Sequence, residues 1–106
     1  MKGKFKVSYT HAAREDLLRL FDHLLAQAQD GDDFAHAQSA IDTIRLQVEG
    51  LLSHSPFVFR KAGSNPFVRE LLIPFGAMGC VALYEIEGAE VVSVLALRHQ
   101  REDDYH

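Results

Sequence analysis

Hydrophobic and polar residues alternate along the first nine positions of the chain. Phe5, Val7 and Tyr9 fall on one face of an extended segment, and Lys4, Lys6 and Ser8 fall on the other. A two-residue period of this kind is typical of a strand with one buried face. The sequence therefore predicts an opening strand, and Thr10 directly after it is predicted to cap the first turn of a helix.

Two helical stretches follow. From His11 to about Gln29 the apolar positions recur every three or four residues, at Ala13, Leu17, Phe21, Leu24 and Ala28. From about Asp33 a second stretch repeats in steps of three and four, like a coiled-coil seam, at Phe34, Ala37, Ile41, Ile44, Val48 and Leu51. The short polar joint QDGDD between them predicts an antiparallel helical hairpin whose apolar stripes pack into a core.

After LLSHSP the pattern becomes extended. A short strand is predicted around residues 57–62, followed by a GSNP turn and the strand FVRELLIPF, in which Pro74 marks the end or an edge position. CVALYEIE and EVVSVLALRH form two further strands, and the tight link Gly88-Ala89 favours an antiparallel pair. The last strand is apolar on both faces, which predicts a place near the middle of the sheet.

Together these elements predict an α+β fold. An N-terminal strand is followed by an antiparallel helical hairpin and then by an antiparallel β-meander, all within a single domain of residues 1–106. The length of 106 residues and a hydrophobic content of 47% suit one compact core. No apolar run approaches the roughly 20 residues needed to span a bilayer, and no signal-peptide core follows the basic start, so a cytoplasmic protein is expected.

Charge is distributed unevenly along a chain whose net charge is −4. Residues 11–53 carry eight acids and three arginines, so the remainder is slightly basic. Proteins that bind nucleic acids without specificity usually carry a marked basic excess, because Lys and Arg displace counterions from phosphates. The balance argues against that function class, although it allows a small basic site outside the hairpin.

The chain ends in RHQREDDYH, which places a charged cluster directly after the most apolar strand. Alternation puts Arg98 and Gln100 on one face and His99 and Arg101 on the other. In catalysis His99 would move protons, Arg101 would hold a phosphate or carboxylate, and Tyr105 would stack or relay a proton. Surface ion pairs with the neighbouring acids are the simpler interpretation, and we prefer it to catalysis. For target recognition both interpretations stay open.

Other chemistry is weakly supported by the sequence. His99, Asp103 and His106 are close in the chain, but no HExxH or cysteine-containing ligand set is present, so neither a metal nor a cofactor is expected. Cys80 lies in an apolar run without activating basic neighbours and is expected to be buried and inert. Arg69 and Glu70 are expected to buttress the fold, because adjacent strand residues point to opposite faces.

Several segments resemble the ParE/RelE superfamily of bacterial toxins from type II toxin–antitoxin (plasmid stabilisation) modules. The similarity covers VSYTHAAREDL, LLSHSPFVFR, RELLIPF, VALYEIEG and VVSVLALRHQRED in that order. It implies a cognate antitoxin as partner. For that partner, expected to be small and acidic or mixed in charge, we predict an apolar groove where the hairpin meets the sheet, with Leu18, Leu25, Phe34 and Ile41 as contact residues.

Functions divide within this superfamily. RelE-like members cleave mRNA in the ribosomal A site, whereas ParE-like members inhibit DNA gyrase. RelE-like nucleases place Lys or Arg on the middle strands, but LIPFGAMGCVALY has none, and ParE-like toxins often end the last strand with a sequence like His99-Gln100-Arg101. The resemblance therefore implies a growth-arresting gyrase inhibitor rather than an enzyme, with Arg98, His99, Arg101 and Tyr105 as target-recognition residues.

Two alternatives remain open. The chain could be an mRNA interferase acting on the ribosome, in which case His99, Arg101 and Tyr105 would form its catalytic group. It could also be a degenerate, non-toxic module that only binds an antitoxin. The sequence does not decide whether the chain forms a homodimer.

Overall fold

A computed structural model describes residues 4–26, 32–75 and 78–99. Its elements are β1 (Lys6–Tyr9), α1 (His11–Ala26), α2 (Asp32–His54), β2 (Arg60–Lys61), β3 (Val68–Phe75), β4 (Met78–Glu87) and β5 (Val91–His99). The five strands form one sheet in the order β1-β5-β4-β3-β2. The predicted α+β architecture is confirmed, and the sheet is mixed, because β1 runs parallel to β5 while the other neighbours are antiparallel.

The predicted start of the first helix is confirmed in atomic detail. Thr10 Oγ1 accepts a hydrogen bond from the Ala13 amide at 3.1 Å, which satisfies one of the free donors of the first turn. The same hydroxyl donates to the Leu95 carbonyl at 3.2 Å. The Thr10 cap therefore joins the helix start to the middle of β5.

The helical hairpin packs on one face of the sheet, and most of the predicted stripe residues lie in the core. Three details differ from the predicted pattern, and Ala28 of the predicted stripe lies outside the described residues. Phe34 is exposed. Leu52 is fully buried and Leu51 is exposed, so the buried positions of α2 step by four after Val48 rather than by three. A straight helix of 3.6 residues per turn drifts away from a strict seven-residue repeat, which accounts for the shift. Leu20, outside the predicted stripe of α1, is also buried.

The two faces of the sheet differ in their cover. Residues of β3, β4 and β5 that point toward the helices are buried, and they alternate along each strand except at a bulge in β5 between Val94 and Ala96. They are Leu71, Ile73, Cys80, Ala82, Tyr84, Ile86, Val92, Val94 and Leu97. The opposite face, called the open face below, is not covered by the helices. β5 lies between β1 and β4, which confirms its predicted interior position. Cys80 is fully buried, as predicted.

Turns and strand edges lie where the sequence places glycine and proline. Gly88, with φ of 76°, makes the tight link between β4 and β5, a conformation that side chains disfavour. β2 pairs with β3 only through Arg69 and Glu70. Beyond Glu70 the outer edge of β3 has no partner strand among the described residues, and Pro74, which lacks an amide hydrogen, lies there. Pro74 therefore holds the predicted edge position.

No helix within the described ranges is long and apolar enough to cross a membrane.

Candidate functional site

The end of β5 carries two of the predicted recognition residues, and the structure separates them. Arg98 lies half-buried on the open face, where Val81 is its cross-strand partner. His99 points the other way, beneath α1, with 7% of its surface exposed and its ring centroid 6.0 Å from that of His23. The burial of His99 does not fit direct contact with a target, because little of the ring can be reached from solvent. Arg101 and Tyr105 lie outside the described residues.

Two side chains of α1 hold the backbone of β5 just before this end. Asp16 Oδ2 accepts a hydrogen bond from the Leu97 amide at 2.9 Å, and an Arg19 guanidinium nitrogen lies 3.4 Å from the Leu97 carbonyl as its donor. The two side chains also pair with each other at 3.2 Å. β1 ends at Tyr9, opposite Val94, so Asp16 and Arg19 take the place of a neighbouring strand along this stretch.

Sequence reasoning missed this role of Asp16 and Arg19. It identified the acidic residue only as part of the AREDL segment, where it looks like one more charge on the solvent side of an amphipathic helix. No local signal distinguishes it from Glu15, because its partner lies 81 positions away in the chain. Packing explains the position of Asp16. Ala13 is fully buried against the sheet, which brings Asp16 close to β5.

The open face is balanced in charge over its described residues. Lys6, Arg60 and Arg98 are its cations, and Glu70, Glu85 and Glu87 are its acids. Arg60 Nε lies 2.9 Å from Glu70 Oε1. A shallow depression of about 200 Å³ lies beside Arg98 and is lined by Glu70, Val81, Leu83, Ala96 and Arg98. Along β3, β4 and β5, the described positions of this face offer neither a histidine nor a tyrosine as a proton-transfer group.

A larger groove of about 540 Å³, called the hairpin groove below, lies between α1 and α2 and reaches Tyr9 at the end of β1. Its lining consists of Tyr9, Arg14, Leu17, Leu18, Phe21, Gln38, Ile41 and Arg45. Of the four predicted partner contacts, Leu18 is 64% exposed in this groove and Ile41 forms part of its floor while belonging mainly to the core. Phe34 is exposed beside it, edge-on to Phe21 at 5.6 Å. Leu25 is half-buried and does not line the groove.

A polar network closes one end of the hairpin groove. The Tyr9 hydroxyl donates a hydrogen bond to Glu49 Oε2 at 2.8 Å. Arg45 Nε lies 3.6 Å from the same oxygen, and the Arg45 guanidinium carbon lies 6.0 Å from the centroid of the Tyr9 ring. Burial is the largest cause that raises the pKa of Tyr9 well above its usual range, and the neighbouring Glu49 carboxylate is the second. The hydroxyl therefore stays a neutral hydrogen-bond donor at any physiological pH.

Within the described ranges, no group of three His, Cys, Asp or Glu side chains is arranged to hold a metal ion. Asp103 and His106, considered from the sequence as part of a metal set, lie outside those ranges.

Comparison with known proteins agrees with this architecture. A family model described as ParE toxin of type II toxin–antitoxin system, parDE, matches residues 7–104. A relative from Caulobacter vibrioides, Toxin RelE3, is 37% identical over 90 residues, which cover 85% of this chain and 88% of the relative. A solved structure titled Chromosomal ParDE TA system from P. aeruginosa aligns with a TM-score of 0.71 and 19% identity, covering 92% of this chain and 98% of the other, which shows a shared fold. The chain belongs to the ParE toxin family of type II toxin–antitoxin systems, within the ParE/RelE superfamily.

Proposed function

We propose that this toxin arrests growth by inhibiting DNA gyrase and that an antitoxin neutralises it by docking in the hairpin groove. The observation that carries the proposal is the chemistry of the open face. Its described cations are matched by an equal number of acids, and Arg60 is already paired with Glu70. A surface of this kind suits contact with a protein better than contact with a polyanion.

Cleavage of mRNA makes demands that the described part of this face does not meet. The attacking 2′-hydroxyl must lose a proton, the phosphate charge must be stabilised and the leaving oxygen must gain a proton. The described residues of β3, β4 and β5 on the open face supply one arginine, Arg98, and no histidine or tyrosine. The name of the Caulobacter vibrioides relative, Toxin RelE3, keeps ribosome-dependent cleavage as the second candidate.

A cognate antitoxin is the partner that the family implies, and the hairpin groove suits a segment with both apolar and acidic residues. Leu17, Leu18 and Phe21 provide its apolar surface, while Arg14 and Arg45 place positive charge at its rim. An amphipathic helix or extended segment would bury the exposed Leu18 there. Binding in this groove leaves the open face and the end of β5 free.

The end of the chain provides the residues for target recognition in this proposal. Arg98, on the open face, together with Arg101 and Tyr105 would contact the target, while His99 would anchor the strand end beneath α1. An arginine grips a carboxylate with two parallel hydrogen bonds, which lysine cannot reproduce. Arg101→Lys is therefore expected to weaken growth arrest with thermal unfolding unchanged.

The test is to express the chain alone from a tightly controlled promoter and follow growth, with Arg101→Lys and Arg101→Ala beside the wild type. Purified protein is then added to a DNA gyrase supercoiling assay and, separately, to translating ribosomes. We expect growth arrest and loss of supercoiling, without rapid codon-specific cuts in mRNA. Cuts in the A site with supercoiling intact would establish the nuclease instead, and normal growth would indicate a degenerate module.

A further inference from the structure

A cluster of exposed aromatic and aliphatic side chains lies far from the end of β5, where β1 begins and β4 ends. We call it the aromatic pole. It comprises the exposed Phe57, Val58 and Phe67, the half-buried Phe5 and the neighbouring cations Lys61 and Arg69. Phe57 and Phe67 are 49% and 48% exposed, and Val58 is 71% exposed. The rings stand edge to face, with centroids 6.4 Å apart for Phe5 and Phe57 and 6.3 Å apart for Phe57 and Phe67. They form a continuous surface rather than isolated exposed residues.

Hydrogen bonds hold the aromatic pole in a fixed shape. Arg69 donates to the Pro66 carbonyl at 2.9 Å, to the Phe57 carbonyl at 3.0 Å and to the Phe59 carbonyl at 2.8 Å. Its guanidinium carbon also lies 5.5 Å from the centroid of the Phe57 ring. Since these bonds already hold the backbone beneath the rings, a partner that binds there would lose little conformational entropy in arranging it.

The aromatic pole is also positively charged. Lys61 lies directly opposite Arg69 on the neighbouring strand, and like charges in this position lower the stability of a sheet. Among the described residues, neither side chain has a carboxylate within ion-pair distance. The sequence contains no Asp or Glu from residue 50 to residue 69. An acidic ligand would relieve the repulsion that the fold leaves in place.

We propose that the aromatic pole is a docking surface for an acidic, apolar-bearing segment of the protein that this toxin inhibits. Exposed aromatic rings beside arginine are typical of the residues that dominate protein interfaces. Two uncompensated cations on a chain of net charge −4 are too few to hold a nucleic acid strand, so a protein segment is the better fit.

The aromatic pole is distinct from the groove assigned to the antitoxin. From α2 the groove is lined by Gln38, Ile41 and Arg45, whereas Phe57, Val58 and Phe67 of the pole follow the end of α2 at His54. At about 1.5 Å per residue, the stretch between Arg45 and His54 separates them by about 14 Å along the helix axis. An antitoxin in the groove and a target segment on the pole would thus use different side chains. This inference rests on the proposed function, which names DNA gyrase as the target.

The test compares two double variants of the full chain. Val58→Ser with Lys61→Glu removes an exposed aliphatic group and reverses a charge on the aromatic pole. Leu18→Ser with Arg14→Glu makes the same kinds of change in the hairpin groove, where Leu18 is 64% exposed. We expect the pole variant to lose at least about tenfold in affinity for purified DNA gyrase, the loss that one important interface residue produces. Its antitoxin affinity should match the wild type, and its melting temperature should not fall, because Lys61→Glu replaces a repulsion with Arg69 by an attraction. The control variant should bind gyrase normally and lose affinity for the antitoxin instead.

Other results would overturn the inference. Wild-type gyrase affinity in the pole variant, or an equal loss in the control variant, would exclude the pole as the docking surface. If the wild type does not bind gyrase, the proposed target is wrong, and a labelled peptide alternating glutamate and phenylalanine tests the pole directly. If the wild type binds this peptide and the pole variant does not, the result supports the aromatic pole as a docking surface. If the wild type does not bind the peptide, the inference is rejected. If a labelled oligo-dT strand binds the wild type but not the pole variant, the ligand of the pole is a nucleic acid and the proposed protein ligand is wrong.

Discussion

Single residues show how burial fixes the chemistry of this fold. Tyr84 is fully buried in the centre of β4, and its hydroxyl donates a hydrogen bond to the Pro56 carbonyl in the loop after α2. Burial raises the pKa of Tyr84 to about 12, although the positive charge of Arg69 opposes this shift. The bond ties the loop that carries the aromatic pole to the middle of the sheet.

Replacing Tyr84 by phenylalanine should change how the free energy of unfolding depends on pH, because the variant lacks the buried hydroxyl. The neutral hydroxyl is favoured by the folded state, so its contribution is complete below about pH 10 and is lost as the pH rises toward about 12. Below pH 10 we expect Tyr84→Phe to be less stable by about 1 kcal/mol, the net value of one hydrogen bond. Urea unfolding of both proteins at several pH values measures the difference. If the difference in unfolding free energy between the two proteins stays constant through pH 12, the Tyr84 hydroxyl does not contribute as described.

At the scale of elements, the junction between α1 and β5 is the most informative. β5 extends past the end of β1, so part of its edge needs other partners for its backbone groups. Thr10, Asp16 and Arg19 supply them from the start of α1, at the Leu95 and Leu97 backbone. One helix therefore both covers the face of β5 and satisfies its edge, which leaves that stretch closed to a further strand.

Asp16 variants test this junction. Asp16→Ala leaves the buried Leu97 amide without an acceptor and should cost about 1–3 kcal/mol of unfolding free energy. Asp16→Asn keeps an acceptor for that amide but loses the charge that pairs with Arg19, so we expect a smaller loss. Urea unfolding gives the energies, and hydrogen exchange at Leu97 reports the bond itself. Unchanged exchange at Leu97 in Asp16→Ala would show that the bond contributes nothing.

At the scale of the whole molecule, the proposed surfaces lie apart from one another. The hairpin groove lies between α1 and α2, the aromatic pole lies where β1 begins, and Arg98 lies on the open face near the end of β5. A toxin of this arrangement can be held by its antitoxin through one surface while others remain exposed.

The hairpin groove makes a further prediction. Leu18→Glu should reduce antitoxin affinity by at least about tenfold, because a charge replaces an apolar side chain that the partner buries. Leu18 is mostly exposed in the free toxin, so its melting temperature should change little. Isothermal titration with the cognate antitoxin measures the effect, and Leu46→Glu, at an exposed position of α2 outside the groove, is the matched control. Equal losses in the two variants would argue against the groove.

The sequence by itself determined the elements, their order and the family. Alternation in β1 and the three-and-four spacing of the helices are local patterns, and they are legible because each element must bury one face. The Thr10 cap, the Gly88 turn and the edge proline were readable for the same reason, since each depends on a few adjacent residues.

Only the tertiary structure decided the rest. The parallel pairing of β1 with β5, the hydrogen bond from the Leu97 amide to Asp16 and the burial of His99 under α1 all join residues far apart in the chain. The aromatic pole likewise assembles only when the start of β1 meets the loop after α2. Such contacts leave no periodic signal, because their partners are chosen by how the helices cross the sheet rather than by neighbours in sequence.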